Sequence, residues 1–212
     1  MCCWPKPGGS QMPKIAHIAA LEALYGTPVS GSIRKVTDHL TPRYAKWIAA
    51  SRLCVLSTVG PEGTDASPRG DDGPVVALLD ARHVALPDWR GNQRIDSLRN
   101  IVRDARVSLM FFVRGSNNVV RVNGQAIVTD DADLRARFDK KGRQPTTVIV
   151  VEIAEVYIQC ARALLRAGVW AGVDDSADLP TVGDIMAEIT NGEEGGAAYD
   201  SAWGARAEKT MW

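Results

Sequence analysis

The spacing of apolar and polar residues predicts short strands in the middle of the chain and helices toward both ends. Residues 53–59, LCVLSTV, read as a strand, Gly60-Pro61-Glu62-Gly63 as a turn and residues 64–67 as a returning strand. Two further strands are expected at 75–79 and 83–86, split by the polar turn Asp80-Ala81-Arg82. A helical period follows over 93–104, with Ile95, Leu98 and Val102 on one face. Residues 106–113, RVSLMFFV, are almost wholly apolar and predict a strand covered on both faces. Gly115-Ser116-Asn117-Asn118 turns the chain into a strand at 119–128. Asn123-Gly124 inside that strand predicts a bulge or sharp bend. Asp130-Asp131-Ala132-Asp133 caps a short helix through Phe138, residues 147–157 form the last long strand, and residues 160–167 form a short basic helix.

The flanks carry helical signals. Residues 15–25 predict a helix ending at Gly26, and residues 26–35 a Gly/Ser-rich connection. Thr41-Pro42 looks like an N-cap followed by proline in the first turn, opening a helix that runs toward Arg52. Thr181-x-x-Asp184 opens a helix over 181–190. Residues 1–14 and the stretch from Asn191 onward are expected to be irregular. Short strands joined without long crossovers favour antiparallel pairing. The expected class is therefore mainly β (β-rich α+β): six or seven antiparallel strands in a small Greek-key barrel flanked by helices. The expected division is residues 1–40 as an extension with one helix, 41–172 as the barrel domain, and 173–212 as a helix with a flexible tail.

Composition narrows the function classes. The 212 residues are 45% hydrophobic and 24% charged, and their formal charges cancel. Nothing here predicts a nucleic-acid or anionic-membrane surface. No apolar run approaches the ~20 residues of a membrane helix. The opening MCCWPKPGGSQMPK has Pro and Gly where a signal peptide needs its apolar core, so a cytoplasmic protein is expected. Cys2, Cys3, Cys54 and Cys160 show no zinc spacing, and His17, His39 and His83 are scattered, so no metal site is expected. Cys54, within an apolar strand pattern, reads as a small buried hydrophobe.

The stretch from Ser67 to Arg106 holds seven arginines and no lysine. Within it a strand runs into the polar knot Pro87-Asp88-Trp89-Arg90-Gly91-Asn92-Gln93-Arg94, and the knot into a helix. A helix start has unpaired N–H groups and partial positive charge, and arginine adds a planar fork of donors, so this order predicts a phosphate grip. Arg90, Asn92, Arg94 and Ser97 are its candidates. Arg99 and Arg103, further along, read as a solvated face paired with Asp96 and Asp104. On composition alone Arg69 is a solvated loop arginine.

The same stretch resembles the pyridoxamine 5′-phosphate oxidase-like, FMN-binding split-barrel superfamily, in its branch of probable FMN-dependent proteins. The resemblance rests on Ser67-Pro68-Arg69-Gly70-Asp71, Val84-Ala85-Leu86-Pro87-Asp88, Gly91-Asn92-Gln93-Arg94-Ile95-Asp96-Ser97-Leu98-Arg99-Asn100-Ile101 and Arg106-Val107-Ser108-Leu109. Val119-Val120-Arg121-Val122-Asn123-Gly124 and Cys160-Ala161-Arg162-Ala163-Leu164 extend it, over about residues 44–170 in order and spacing.

The resemblance implies a split barrel that binds FMN, makes residues 41–172 the FMN-binding domain, and points to an FMN-dependent oxidoreductase acting on a small molecule. It places Ser67, Arg69 and Gly70 beside the flavin rings, the strand containing Val76 beneath them, and the backbone of Leu86, Pro87 and Asp88 against flavin and ribityl polar atoms. It also implies a homodimer with the flavin at the interface, where Trp170 either contacts the partner's flavin or packs at the base of its own barrel. A lysine frequent at the end of the strand under the flavin is Asp80 here, which counts against pyridoxine phosphate as substrate. The alternatives are a non-enzymatic flavin store, sensor or electron relay, or F420 or haem in place of FMN; neither His83 nor His39 is a good axial ligand. No triad, paired carboxylates or P-loop appears, and no catalytic residue is assigned. The Gly-, Pro- and Ala-rich ends, residues 1–14 and 195–212, are expected to be dispensable for flavin binding.

Overall fold

A computed structural model describes residues 13–212. It divides into two compact units, Met1–Lys35 and Val36–Trp212. The described part of the first holds α1 (Ile18–Tyr25) and α2 (Ser30–Arg34), the latter within the stretch expected to be a plain connection. The expected irregular segment 1–14 lies almost wholly outside the described residues.

The second unit begins with α3 (Pro42–Ala49). Thr41 caps it, its hydroxyl accepting from the Tyr44 N–H at 3.3 Å, and Ile48 is buried. The strands are β1 (Leu53–Gly60), β2 (Gly63–Gly70), β3 (Ala77–Leu78) and β4 (His83–Asp88). After α4 (Asp96–Arg103) come β5 (Arg106–Phe112) and β6 (Val119–Thr129). After α5 (Ala132–Ala136) come β7 (Thr147–Gln159), α6 (Arg162–Ala167), α7 (Val182–Ile189) and α8 (Gly196–Thr210).

The seven strands form one antiparallel sheet in the order β2-β1-β5-β6-β7-β4-β3, flanked by helices, as expected. The side-chain period of two explains how they share a core. Cys54 and Leu56 of β1 and Val107, Leu109 and Phe111 of β5 point inward, meeting Val120 and Val122 of β6 and Ile149, Val151 and Ile153 of β7. Burial pushes the Cys54 thiol up to about 12, against an opposing pull from Arg69, so it stays a neutral core side chain.

The predicted bend in β6 is present: pairing with β7 slips between Asn123 and Gly124. A Cβ on Gly124 would stand 2.0 Å from the Glu152 carbonyl oxygen, so only glycine allows that approach.

Three expectations are corrected. Residues 75 and 76 are buried without joining the sheet, and β3 is only Ala77–Leu78. Their apolarity reports burial, not pairing. β2 continues past Ser67 to Gly70. Pro68 does not end it, because β2 is an edge strand paired only with β1, where a missing N–H is tolerated. The Gly- and Ala-rich stretch after Asn191 contains the fifteen-residue α8, which packs on α7. A capping box on α7 joins Thr181 and Asp184, and Asp200 of α8 accepts from the Thr181 hydroxyl at 2.6 Å and the Gly183 N–H at 2.9 Å.

In sheet order β4 and β5 are separated by β7 and β6, so the chain between them must cross from one side of the sheet to the other. Residues 89–95 and α4 make that crossing, and α4 packs on β1 and β2. Asn100 donates to Thr58 of β1 at 3.1 Å inside this contact. The end of β4, the start of α4 and one face of β2 are thereby brought around a common space.

Candidate functional site

That space is a cleft of about 1340 Å³, larger than the roughly 300–1,000 Å³ of common small-molecule sites. β2 supplies one wall through its period of two: Asp65, Ser67 and Arg69 alternate onto the cleft side and are all part-buried. β4 supplies Leu86, Pro87 and Asp88, residues 89–95 the rim, and α4 its first turn.

The β2 wall carries a directional hydrogen-bond chain. Arg69 Nε donates to Ser67 Oγ at 3.0 Å, Ser67 and Ser97 hydroxyls lie 3.2 Å apart, and Ser97 Oγ donates to Asp65. A guanidinium can only donate and an ionised carboxylate can only accept, so the Ser67 proton points to Ser97. The other side of the Arg69 guanidinium pairs with Asp88; both side chains are 18% exposed. Arg69 is thus neutralised in place, and this end of the cleft is polar without being cationic.

The rim formed by residues 89–95 is different. Among the described residues Arg90 has no side-chain partner, and Arg94 is 75% exposed, paired with Asp96 at 2.9 Å. The helix starts at Asp96 rather than Gln93. Asn92 Oδ1 accepts from the Arg94 N–H at 3.1 Å, and Gln93 and Ile95 take left-handed φ values of 61° and 52°. That conformation is costly for a β-branched residue and is held only where surrounding structure imposes it. Ile95 at the N-cap has no side-chain acceptor for the first-turn N–H groups, which keeps them available.

A third wall comes from residues outside the predicted site set. Asp71, with 4% side-chain exposure, accepts from Trp89 Nε1 at 3.2 Å and the Gly73 N–H at 3.0 Å, and pairs with Lys140, which also pairs with Asp72. Burial pulls the Lys140 ammonium down, but the hydrogen bonds it donates to Asp71 and Asp72 outweigh this and raise it; the Lys140 bond holds Asp72 below its usual range. Met211 and Trp212, within the segment expected to be dispensable for flavin binding, also line the cleft. Thr147, opposite Asp88 in the β4–β7 register, contributes a buried hydroxyl oxygen with no hydrogen-bond partner among the described residues.

Of the predicted site residues, Ser67, Arg69, Gly70, Leu86, Pro87, Asp88, Arg90, Asn92, Arg94 and Ser97 all line this one cleft. Val76 does not: it is buried in the core, and its neighbour Val75 takes the cleft position. Trp170 is elsewhere, its indole donating to the Ser116 carbonyl at 2.8 Å on the β5–β6 turn. Arg103 pairs with Glu62 and Asp104 with Arg106, not with each other as expected. Asp80 sits in the β3–β4 turn, accepting from the Arg82 N–H and His83, which lower its pKa in that order. Of the missed residues only Asp65 had a readable signal, the D-x-S-x-R alternation of β2. No cluster of three metal-ligating side chains occurs among the described residues, and no described helix is long and apolar enough to cross a membrane.

An antiparallel barrel-like sheet with a polar cleft at the β4–α4 crossing defines the class, and the family model for pyridoxamine 5′-phosphate oxidase matches residues 40–160. The chain belongs to that family. Its members bind flavins, which supports flavin binding here. No curated protein matches the chain. Among solved structures it is similar to HupZ of Group A Streptococcus, at 16% identity over 55% of this chain and 91% of that one, TM-score 0.46. It is also similar to a putative pyridoxamine 5′-phosphate oxidase of Lactobacillus delbrueckii, at 24% identity over 57% and 95%, TM-score 0.45. A third is an FMN-binding protein of Syntrophomonas wolfei, at 12% identity over 55% and 80%, TM-score 0.40.

Proposed function

We propose that the cleft binds FMN and that the chain is an FMN-dependent oxidoreductase acting on a small molecule. The observation that carries this reading is that one cleft holds both a part-buried, neutralised guanidinium and exposed arginines beside a helix start. The Arg69–Asp88 end is polar and internally neutralised, which suits the hydrogen-bonding edge of a heteroaromatic ring. The Arg90–Arg94 rim, beside an uncapped helix start, suits a phosphate. The unpartnered Thr147 hydroxyl is a further polar atom free for a ligand. These residues fit the group, with Ser67, Arg69 and Gly70 toward the rings, Arg90, Asn92 and Arg94 toward the phosphate, and Ser97, hydrogen-bonded to Ser67, between them.

Bound flavin supplies the redox chemistry, so the cleft residues need only hold and orient it and exclude water. Titration of flavin-free protein with FMN, riboflavin and F420 tests the cofactor: FMN should bind tightest and turn the protein yellow. Preference for F420, or no binding, overturns the reading. Stopped-flow reduction by NADH or NADPH, followed by transfer to electron acceptors, separates an enzyme from a flavin carrier.

The chain is further proposed to act as a homodimer. The inward face of β5 is filled, but Met110 and Phe112 on its other face remain part-exposed, as an uncovered strand face would be. Sedimentation at micromolar concentration should give twice the 22.9 kDa chain mass. A monomer that retains FMN would sink this.

A further inference from the structure

We infer that Met211 and Trp212, the two residues after α8, form a built wall of the cleft and that the Trp212 indole contacts the bound flavin. This rests on the flavin reading above. The device begins at residues 140–143. Lys140 and Arg143 are hydrogen-bonded to each other in both directions, at 2.9 and 3.1 Å, around Lys141 and Gly142, whose φ values are 58° and 82°. Positive φ at both central residues makes a tight two-residue turn. The Asp139 carboxylate braces it by accepting from the Gly142 N–H at 2.9 Å. The turn presents two cations to the segment after α8. Arg143 Nη1 donates to the backbone oxygens of Lys209 at 3.2 Å and Trp212 at 3.0 Å, and so fixes the path of the chain.

Lys140 fixes the ring: its ammonium lies 4.3 Å from the Trp212 ring centroid. The ammonium is itself tied to Asp71 and Asp72. Trp89 meets Trp212 edge-on, with centroids 5.1 Å apart and planes at 78°, and is hydrogen-bonded to the same Asp71. Lys140, Asp71, Trp89 and Trp212 therefore close a circuit in which each touches two others. A flat, rigid indole held this way at the cleft wall presents the surface on which a planar heteroaromatic ring packs. Its position is the reverse of a dispensable tail.

The test uses the full chain labelled with 5-fluorotryptophan and titrated with FMN, each resonance assigned by Trp→Phe substitution. The Trp89 and Trp212 resonances should shift with FMN, while those of Trp47, Trp170 and Trp203 hold. Trp212→Ala should weaken FMN and riboflavin equally, by about tenfold, chiefly through faster release; stacking on an aromatic side chain has that order of effect. Lys140→Met, which keeps the indole but removes its clamp, should weaken both in the same direction by a smaller factor. If the wild-type chain binds no flavin, the flavin reading fails and this one with it. If it binds FMN while Trp212 stays silent and Trp212→Ala changes nothing, the wall alone is overturned. Tighter binding by Trp212→Ala would show an obstructing plug, and would overturn it equally.

Discussion

Arg94→Ala should weaken FMN binding ten- to a hundredfold and leave riboflavin binding nearly unchanged. Arg94 now pairs with Asp96, but both side chains are well exposed, at 75% and 41%. An exposed pair of that kind is worth only about 0–1 kcal/mol. A charge-assisted contact to phosphate is worth about 1.5–3 kcal/mol, so a phosphate arriving at this rim displaces Asp96. The first-turn N–H groups of α4, which lack a side-chain cap, add to the same pull. Riboflavin lacks the phosphate and is blind to the change. Arg103→Ala is the control: that guanidinium is committed to Glu62 on the β1–β2 turn and should move neither affinity. Parallel titrations of both ligands against both variants decide the matter. Equal loss for FMN and riboflavin would make Arg94 a structural support and put the phosphate elsewhere; no loss would leave it a solvated arginine.

Local chemistry made much of this site legible in advance. The strand–knot–helix order around residues 86–101 predicted a loop beside a helix start, and residues 86–98 do come together along one cleft. The Asn123-Gly124 bend was readable because glycine inside an apolar strand marks a close backbone approach, here to Glu152. Other features failed for identifiable reasons. The helix start was read three residues early because Gln93 and Ile95 adopt left-handed conformations that propensity does not anticipate. β2 was cut short at Pro68, since edge position is a property of the sheet and not of the strand. Lys140, Asp71 and Trp212 are 69 or more residues apart where they meet across the fold. No local pattern brings such residues together, and a Gly- and Ala-rich stretch before Trp212 read as a tail when it folds as α8.

The Arg69–Asp88 pair should behave oppositely to Arg94. Each side chain is 18% exposed, and Arg69 is also tied through Ser67 and Ser97 to Asp65. Removing one member strands its partner in a poorly solvated wall, which for a fully buried pair costs about 3–5 kcal/mol; with this residual exposure about 2–3 kcal/mol of stability is expected for Arg69→Met or Asp88→Asn. The double variant should lose less than the sum, because no charge is left without its counterpart. Urea unfolding of the four proteins measures this, and strictly additive losses would mean that the pair is not coupled. The ligand readout is separate. Arg69 stands at the neutralised end of the cleft, so Arg69→Met should weaken FMN and riboflavin to the same degree, where Arg94→Ala distinguishes them. A loss confined to FMN at Arg69 would place the phosphate beside β2 and reverse the orientation of the ligand, because only the phosphate differs between the two.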